Sequence, residues 1–195
     1  AVGDRGGTIT IYDSRTRNPV GTQMARHRGG IEHLTFSPDG RALISAGSDG
    51  SVLRWPVSDG FLGESAPIAQ FDDVAWAVEF DREGKRLAMV SEDQSVRLFD
   101  VERGSEIGPP LMQGGGDPLS VTFGPGGESL LTGFGSGRIR SFRLPGGEPF
   151  APDIDDVHTS DVWTLTFPPD GSKFASAFPS FRYTTHEHAI RQTGN

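Results

Sequence analysis

One pattern constrains this chain more than any other: a short segment that returns at an almost fixed interval. Phe36-Ser-Pro-Asp-Gly40 is followed by Phe80-Asp-Arg-Glu-Gly84, Phe123-Gly-Pro-Gly-Gly127 and Phe167-Pro-Pro-Asp-Gly171, with the phenylalanines 44, 43 and 44 residues apart. A second aromatic series, Tyr12, Trp55, Phe99 and Phe142, steps by 43, 44 and 43. Two landmarks keeping one period mean that the chain is an array of equal modules. A module of this size cannot bury its own apolar faces and must stack on its neighbours.

Within one period the residues read as strand, turn, strand, turn, strand, looser link, strand. Ile31 to Ser37 carries Leu34 and Phe36 at alternate positions, the signature of a strand. Ser37-Pro-Asp-Gly40 is a tight turn, because proline presets φ and glycine accepts the conformation that closes it. Arg41 to Gly47 reads as the second strand, Ser48 to Ser51 as the next turn, and Val52 to Val57 as a third strand bearing Trp55. A weaker fourth strand is expected near Pro67 to Phe71. The 27 glycines and 14 prolines among 195 residues fit many turns and argue against a helical bundle. Strands with apolar residues on both faces need a sheet covered on both sides. Four-stranded sheets stacked around an axis provide that cover, so the expected fold is an all-β propeller arc of about four blades' worth.

The residues at fixed places in each module resemble WD40 repeats over about residues 1–177. The family pins a blade with a histidine before the first strand, a serine or threonine in the second, an aspartate in the next turn and a tryptophan in the third. His27, Ser45, Asp49 and Trp55 match all four places. Other modules match in part, through Asp93, Thr132, His158 and Ser176. Ser180 and His186 stand where the last module should have its aspartate and aromatic residue. The link Ile107-Gly-Pro-Pro-Leu111 further resembles the long arrays of bacterial multidomain signalling proteins. That resemblance implies the sensor region of a larger signalling ATPase, kinase or transcription regulator.

The expected organisation is the C-terminal half of a first blade over 1–26 and blades over 27–71 and 72–113. A degenerate blade over 114–157 and the N-terminal half of a last blade over 158–177 follow. The tail 178–195 shows no repeat and no alternation, and reads as a frameshift or fragment boundary, or else as a divergent extension. The chain as a whole reads as a fragment of a longer protein.

Several residue sets imitate chemistry without its full requirements. His27, Asp49 and Ser45 offer the residue types of a hydrolytic triad, but a set that recurs in part at blade spacing is structural, and no oxyanion-hole signature accompanies it. Gly133-Phe-Gly-Ser-Gly137 lacks the following helix of a nucleotide loop and reads as a turn. Asp153, Asp155, Asp156 and His158 lack the loop glycine and distal glutamate of a calcium hand, so no metal or cofactor is expected. His186-Glu-His188 has ligand residue types but is assigned no site.

The positions four residues before each landmark phenylalanine are Glu32, Trp76, Leu119 and Trp163. By resemblance they enter the channel mouth on the face where WD40 proteins recruit partners. With Glu92, Asp117 and Asp161 they compose an acidic rim around two tryptophans. That rim reads equally as a protein-binding patch or as tryptophans wedged between blades. The net charge of −8 opposes non-specific nucleic-acid binding and favours a basic protein or peptide partner. No apolar run approaches the length of a membrane helix. The absence of cysteine fits a reducing compartment, so a cytoplasmic place is expected. The expected function is a non-catalytic scaffold or sensor module. A propeller enzyme with an acidic mouth site, drawn from Glu32, Glu92, Asp117 and Asp161, is the alternative from another class.

Overall fold

The computed structural model describes residues 1–155, 158, 160–168, 173–179 and 188–192, without the side chains of 21–25, 113, 178–179 and 188–192. The first sheet orders β1 (Val2–Gly3), β2 (Thr8–Tyr12) and β3 (Pro19–Ala25). The second orders β4 (Ile31–Phe36), β5 (Ala42–Gly47), β6 (Ser51–Ser58) and β7 (Phe61–Leu62), with β8 (Ala66–Gln70) also paired to β6. The third orders β9 (Ala75–Phe80), β10 (Arg86–Ser91), β11 (Ser95–Asp100) and β12 (Ser105–Glu106), with β13 (Met112–Gln113) paired to β11. The fourth holds β14 (Pro118–Phe123), β15 (Ser129–Phe134) and β16 (Ile139–Arg143). The fifth holds β17 (Thr164–Thr166), β18 (Ala175–Pro179) and β19 (His188–Gln192). Every pairing is antiparallel. The fold is all-β, with propeller blades following one another in chain order. Among the described residues no helix is long and apolar enough to cross a membrane.

The repeated turn has one geometry at three places. The amides of Gly40, Gly84 and Gly127 donate to the carbonyls of Ser37, Asp81 and Gly124 at 2.8, 3.0 and 2.8 Å. All three glycines have φ near +70°, a region that glycine enters without steric cost. The corresponding turn at Asp170 and Gly171 lies outside the described residues.

Apolar burial joins each sheet to the next. Trp55 clusters with Leu43 of its own sheet and Ile9 of the first. Phe99 joins Ile44 and Val52 of the second sheet, and Phe142 joins Val96 and Leu98 of the third. Each module's aromatic residue therefore faces the preceding sheet. Tyr12 is 44% exposed, because no preceding sheet among the described residues covers that face.

The end of the chain departs from the sequence expectation. β18 runs to Pro179, and β19 pairs with it from His188, although 178–195 shows no strand alternation. Backbone pairing requires only free N–H and C=O groups in register, so a strand can form without the alternating pattern. Residues 180–187 and 193–195, with Ser180 and His186 among them, lie outside the described residues.

Candidate functional site

The first strands of successive sheets bring one repeat position together at one end of the arc. Glu32, Trp76 and Leu119 are the second residues of β4, β9 and β14, and Trp163 directly precedes β17. The rings of Trp76 and Trp163 meet edge to face, with centroids 5.7 Å apart and planes at 81°, an arrangement aromatic quadrupoles favour. The two tryptophans differ in cover. Trp76 packs on the core shared by the third and fourth sheets, whereas Trp163 is 43% exposed. The buried Nε1 of Trp76 has no hydrogen-bond partner among the described residues.

Gly135 marks where two members of the acidic rim converge. A Cβ at Gly135 would stand 3.8 Å from both Asp161 Oδ1 and Leu119 Cδ1, and 3.9 Å from Asp117 Cβ. Asp117 and Glu92 are exposed, and Asp161 is half-buried. Glu32 accepts a hydrogen bond from the Ser48 hydroxyl within its own sheet. The structure thus brings Asp117 and Asp161 together and leaves Glu92 on the turn after β10.

In the second sheet a polar chain runs through the interior. Trp55 Nε1 donates to Ser45 Oγ at 2.8 Å. Ser45 Oγ stands 2.7 Å from His27 Nε2, and His27 Nδ1 is 3.0 Å from Asp49 Oδ1. One proton order satisfies every member: indole to hydroxyl, hydroxyl to Nε2, and Nδ1–H to carboxylate. Burial pushes the Asp49 carboxyl up. Hydrogen bonds from the Ser51 hydroxyl, His27 and the amides of Arg28 and Ser51 outweigh that and hold it well below the usual carboxylate range. Ser45 is fully buried and engaged on both sides, so it presents no nucleophile to a substrate.

Comparison with known proteins places these features in a family. The profile described as "WD domain, G-beta repeat" matches residues 17–55 and 155–181. The chain carries WD40 repeats. It is 31% identical over 159 residues to WD repeat-containing protein 90 of Homo sapiens, covering 75% of this chain and 8% of that protein. It is 30% identical over 105 residues to COMPASS component SWD3 of Saccharomyces cerevisiae, covering 52% and 31%. It is 24% identical over 161 residues to meiotic recombination protein rec14 of Schizosaccharomyces pombe, covering 83% and 52%. The chain thus spans from 8% to 52% of the length of these relatives.

The other WD40 repeats solve the same interior differently. In the third sheet Phe71 takes the histidine place and Met89 the serine place, and both are buried. Asp93 is retained, and Arg97 answers it. The Arg97 guanidinium lies 4.5 Å from the centre of the Phe71 ring and pairs with Asp93 Oδ2 at 3.2 Å. It also donates to Ser95 Oγ at 3.1 Å and pairs with Glu106 at 3.2 Å. In the fourth sheet Thr132 keeps the hydroxyl place, yet its Oγ1 is buried with no partner among the described residues. In the fifth, His158 Nε2 stands 2.8 Å from Ser176 Oγ.

Two further sets are engaged within the chain. Asp153 pairs with Arg140 at 2.9 Å and Asp155 with Arg138 at 2.7 Å, which commits these carboxylates to guanidinium groups. Asp156 lies outside the described residues. Gly133-Phe-Gly-Ser-Gly137 ends β15 and turns into β16, with the Gly137 amide donating to the Phe134 carbonyl at 3.1 Å.

Sequence reasoning missed Gly47, Arg97 and Glu79. Gly47 leaves the room in which His27 meets Asp49: a Cβ there would collide with His27 Nδ1 and stand 2.8 Å from Asp49 Oδ1. The aligned repeats carry a signal for the other two. Arg97 stands two residues before the third-strand aromatic, where the second sheet has Leu53. Glu79 stands where the other modules have Thr35, Thr122 and Thr166.

Proposed function

We propose that this chain is a non-catalytic WD40 propeller segment that recruits a protein or peptide partner at the channel mouth. Trp163 is the anchor, Trp76 its support, and Asp117 and Asp161 the carboxylates that favour a basic partner. The observations that carry this reading are the exposure of Trp163, two residues along the chain from Asp161, and the convergence of Asp161 and Asp117 at Gly135. Tryptophan supplies large contact area at hot spots, and an acidic rim adds steering for cations. Glu32 and Glu92 extend the acidic surface. The related COMPASS component SWD3 is by its name a component of a larger entity, which agrees with a scaffold. Freedom from cysteine supports work in a reducing compartment such as the cytoplasm.

Panning a random peptide display library on the chain tests the reading. Peptides rich in arginine and lysine are expected to be enriched. Trp163→Ala is expected to weaken the selected peptides about tenfold or more while the melting curve stays in place. Selection of peptides without basic residues, or binding untouched by Trp163→Ala, would overturn the assignment.

A further inference from the structure

The seams between successive sheets are built from one set of repeat positions. Between the second and third sheets, Ile44 and Val52 cluster with Phe80, Leu87 and Phe99. Between the third and fourth, Ala88 and Val96 cluster with Phe123, Leu130 and Phe142. Between the fourth and fifth, the same positions supply Leu131 and Ile139 on one side and Phe167 and Phe174 on the other. The third-strand aromatic residue, Phe99 or Phe142 in the other two seams, has its counterpart at His186, outside the described residues. In this last seam the described residues surround a cavity of about 440 Å³. Leu131, Ile139 and Ser141 line it. The third sheet holds Ala88, Val96 and Leu98 at those places, and all three cluster with the Phe142 ring.

We propose that this cavity is a binding site for a small aromatic zwitterion, the chemistry of a free aromatic amino acid, with the ring in the seam and the two charged groups at the rim.

The chain's own contacts fix the walls. On the outer side, residues 149–154 run along β16. Ile139 and Ile154 exchange backbone hydrogen bonds at 3.0 and 2.9 Å, and the Phe150 amide donates to the Ser141 carbonyl at 3.1 Å. The Ser141 hydroxyl accepts from the Ala151 amide at 3.0 Å, so this polar wall group keeps a partner when a ring covers it. On the inner side, the Phe167 and Phe174 rings stand 6.0 Å apart with planes at 60°. Phe150 and Ile154 are exposed and give a ligand apolar area to remove from water. A mostly apolar cavity of this size with a few polar groups suits a small molecule. The preference for a ring follows from the repeat. The equivalent positions of the second and third sheets are covered by aromatic residues, and both Phe99 and Phe142 are buried there.

The rim sets the charge. Glu128, just before β15, and Lys173, just before β18, both line the cavity, one from each side of the seam. Among the described residues neither takes part in an ion pair. A ligand with one charge answers one of them, whereas a zwitterion answers both, its ammonium toward Glu128 and its carboxylate toward Lys173. Pro125 and Gly126 of the repeated turn also line the cavity. It therefore lies by Phe167, which follows β17, whereas Trp163 precedes that strand. The site stands independently of any partner at the mouth.

NMR titration of the 195-residue chain with tryptophan tests the site. The indole ring protons should show contacts to the methyl groups of Leu131 and Ile139 in the unsubstituted chain. Tryptamine lacks the carboxylate and indole-3-propionate lacks the ammonium, so each should bind about twofold to fivefold more weakly. Lys173→Gln should remove the advantage over tryptamine, and Glu128→Gln the advantage over indole-3-propionate. No contact to those methyl groups at millimolar tryptophan, contact at Trp163 instead, equal affinity for the three compounds, or an advantage that both variants leave untouched would overturn the proposal. So would contacts of the same methyl groups with Phe181 or Tyr183 in the ligand-free chain, or a shift of their signals on dilution. Those results would assign the cavity to the chain's own segment or to a second copy.

Discussion

The second and third sheets share a backbone plan and differ in how they fill it. In the second, a tryptophan, serine, histidine and aspartate form one hydrogen-bonded line. In the third, Phe71, Met89 and Phe99 replace the first three with apolar bulk, and Arg97 reaches across the Phe71 ring to the aspartate that remains. Asp93 without His27's counterpart would be a carboxylate at a mostly buried site with no donor ring. A guanidinium satisfies it and stacks on the aromatic surface at once, which lysine cannot do equally well. The comparison teaches that the polar line is one of two solutions to a requirement these two sheets share. Each needs a filled interior and a partner for its turn carboxylate. The fourth sheet shows the intermediate case, in which Thr132 keeps its hydroxyl after both partners have gone.

The largest effect expected from breaking this comparison is at Gly47. Gly47→Ala puts a methyl group into the His27–Asp49 contact and should cost about 2–4 kcal/mol in urea unfolding, because overpacking is joined to a lost buried hydrogen bond. The matching place in the third sheet already holds a side chain, and Ser91→Ala there adds no bulk and removes only the hydroxyl's bonds to the Asp73 carbonyl and the Asp93 amide, so it should cost about 1 kcal/mol. Equal losses would show that the two interiors are not built differently.

A smaller effect sharpens the contrast with the fourth sheet. Ser45→Ala leaves both Trp55 Nε1 and His27 Nε2 without their shared partner and should cost about 2 kcal/mol. Thr132→Val removes a buried hydroxyl that has no partner among the described residues. It should be neutral or stabilise by up to about 1 kcal/mol by the same measurement. A loss at Thr132 matching that at Ser45 would contradict the reading of the fourth sheet.

The features legible in the sequence are those set by short stretches of chain. The Phe-to-Gly turns are visible because proline, aspartate and left-handed glycine lie within five residues of one another. The 44-residue step places Trp55, Phe99 and Phe142 on equivalent strands, and burial follows from stacking. Contacts between modules are less visible. Arg97 looks like an exposed strand residue until Phe71, 26 positions earlier, is brought beneath it. Glu79 looks like a polar residue on a strand until Thr122 arrives from the next sheet. At the mouth, the sequence named Trp76 and Trp163 but left open whether they pack or bind. Their unequal cover depends on which sheet each ring meets. β19 was hidden for another reason: its pairing with β18 rests on backbone groups, which carry no side-chain pattern.

Stacking modules that bury one another's aromatic residues are the centre of this account, and indole proton exchange measured by NMR on the intact chain tests it most directly. The Trp55 Nε1 proton, enclosed between Ile9 and Leu43 and bonded to Ser45, should exchange only when the structure opens. The Trp163 indole, on the exposed side of the mouth, should exchange orders of magnitude faster, at close to solvent rates. Exchange of the Trp55 indole as fast as that of Trp163 would contradict the stacked arrangement.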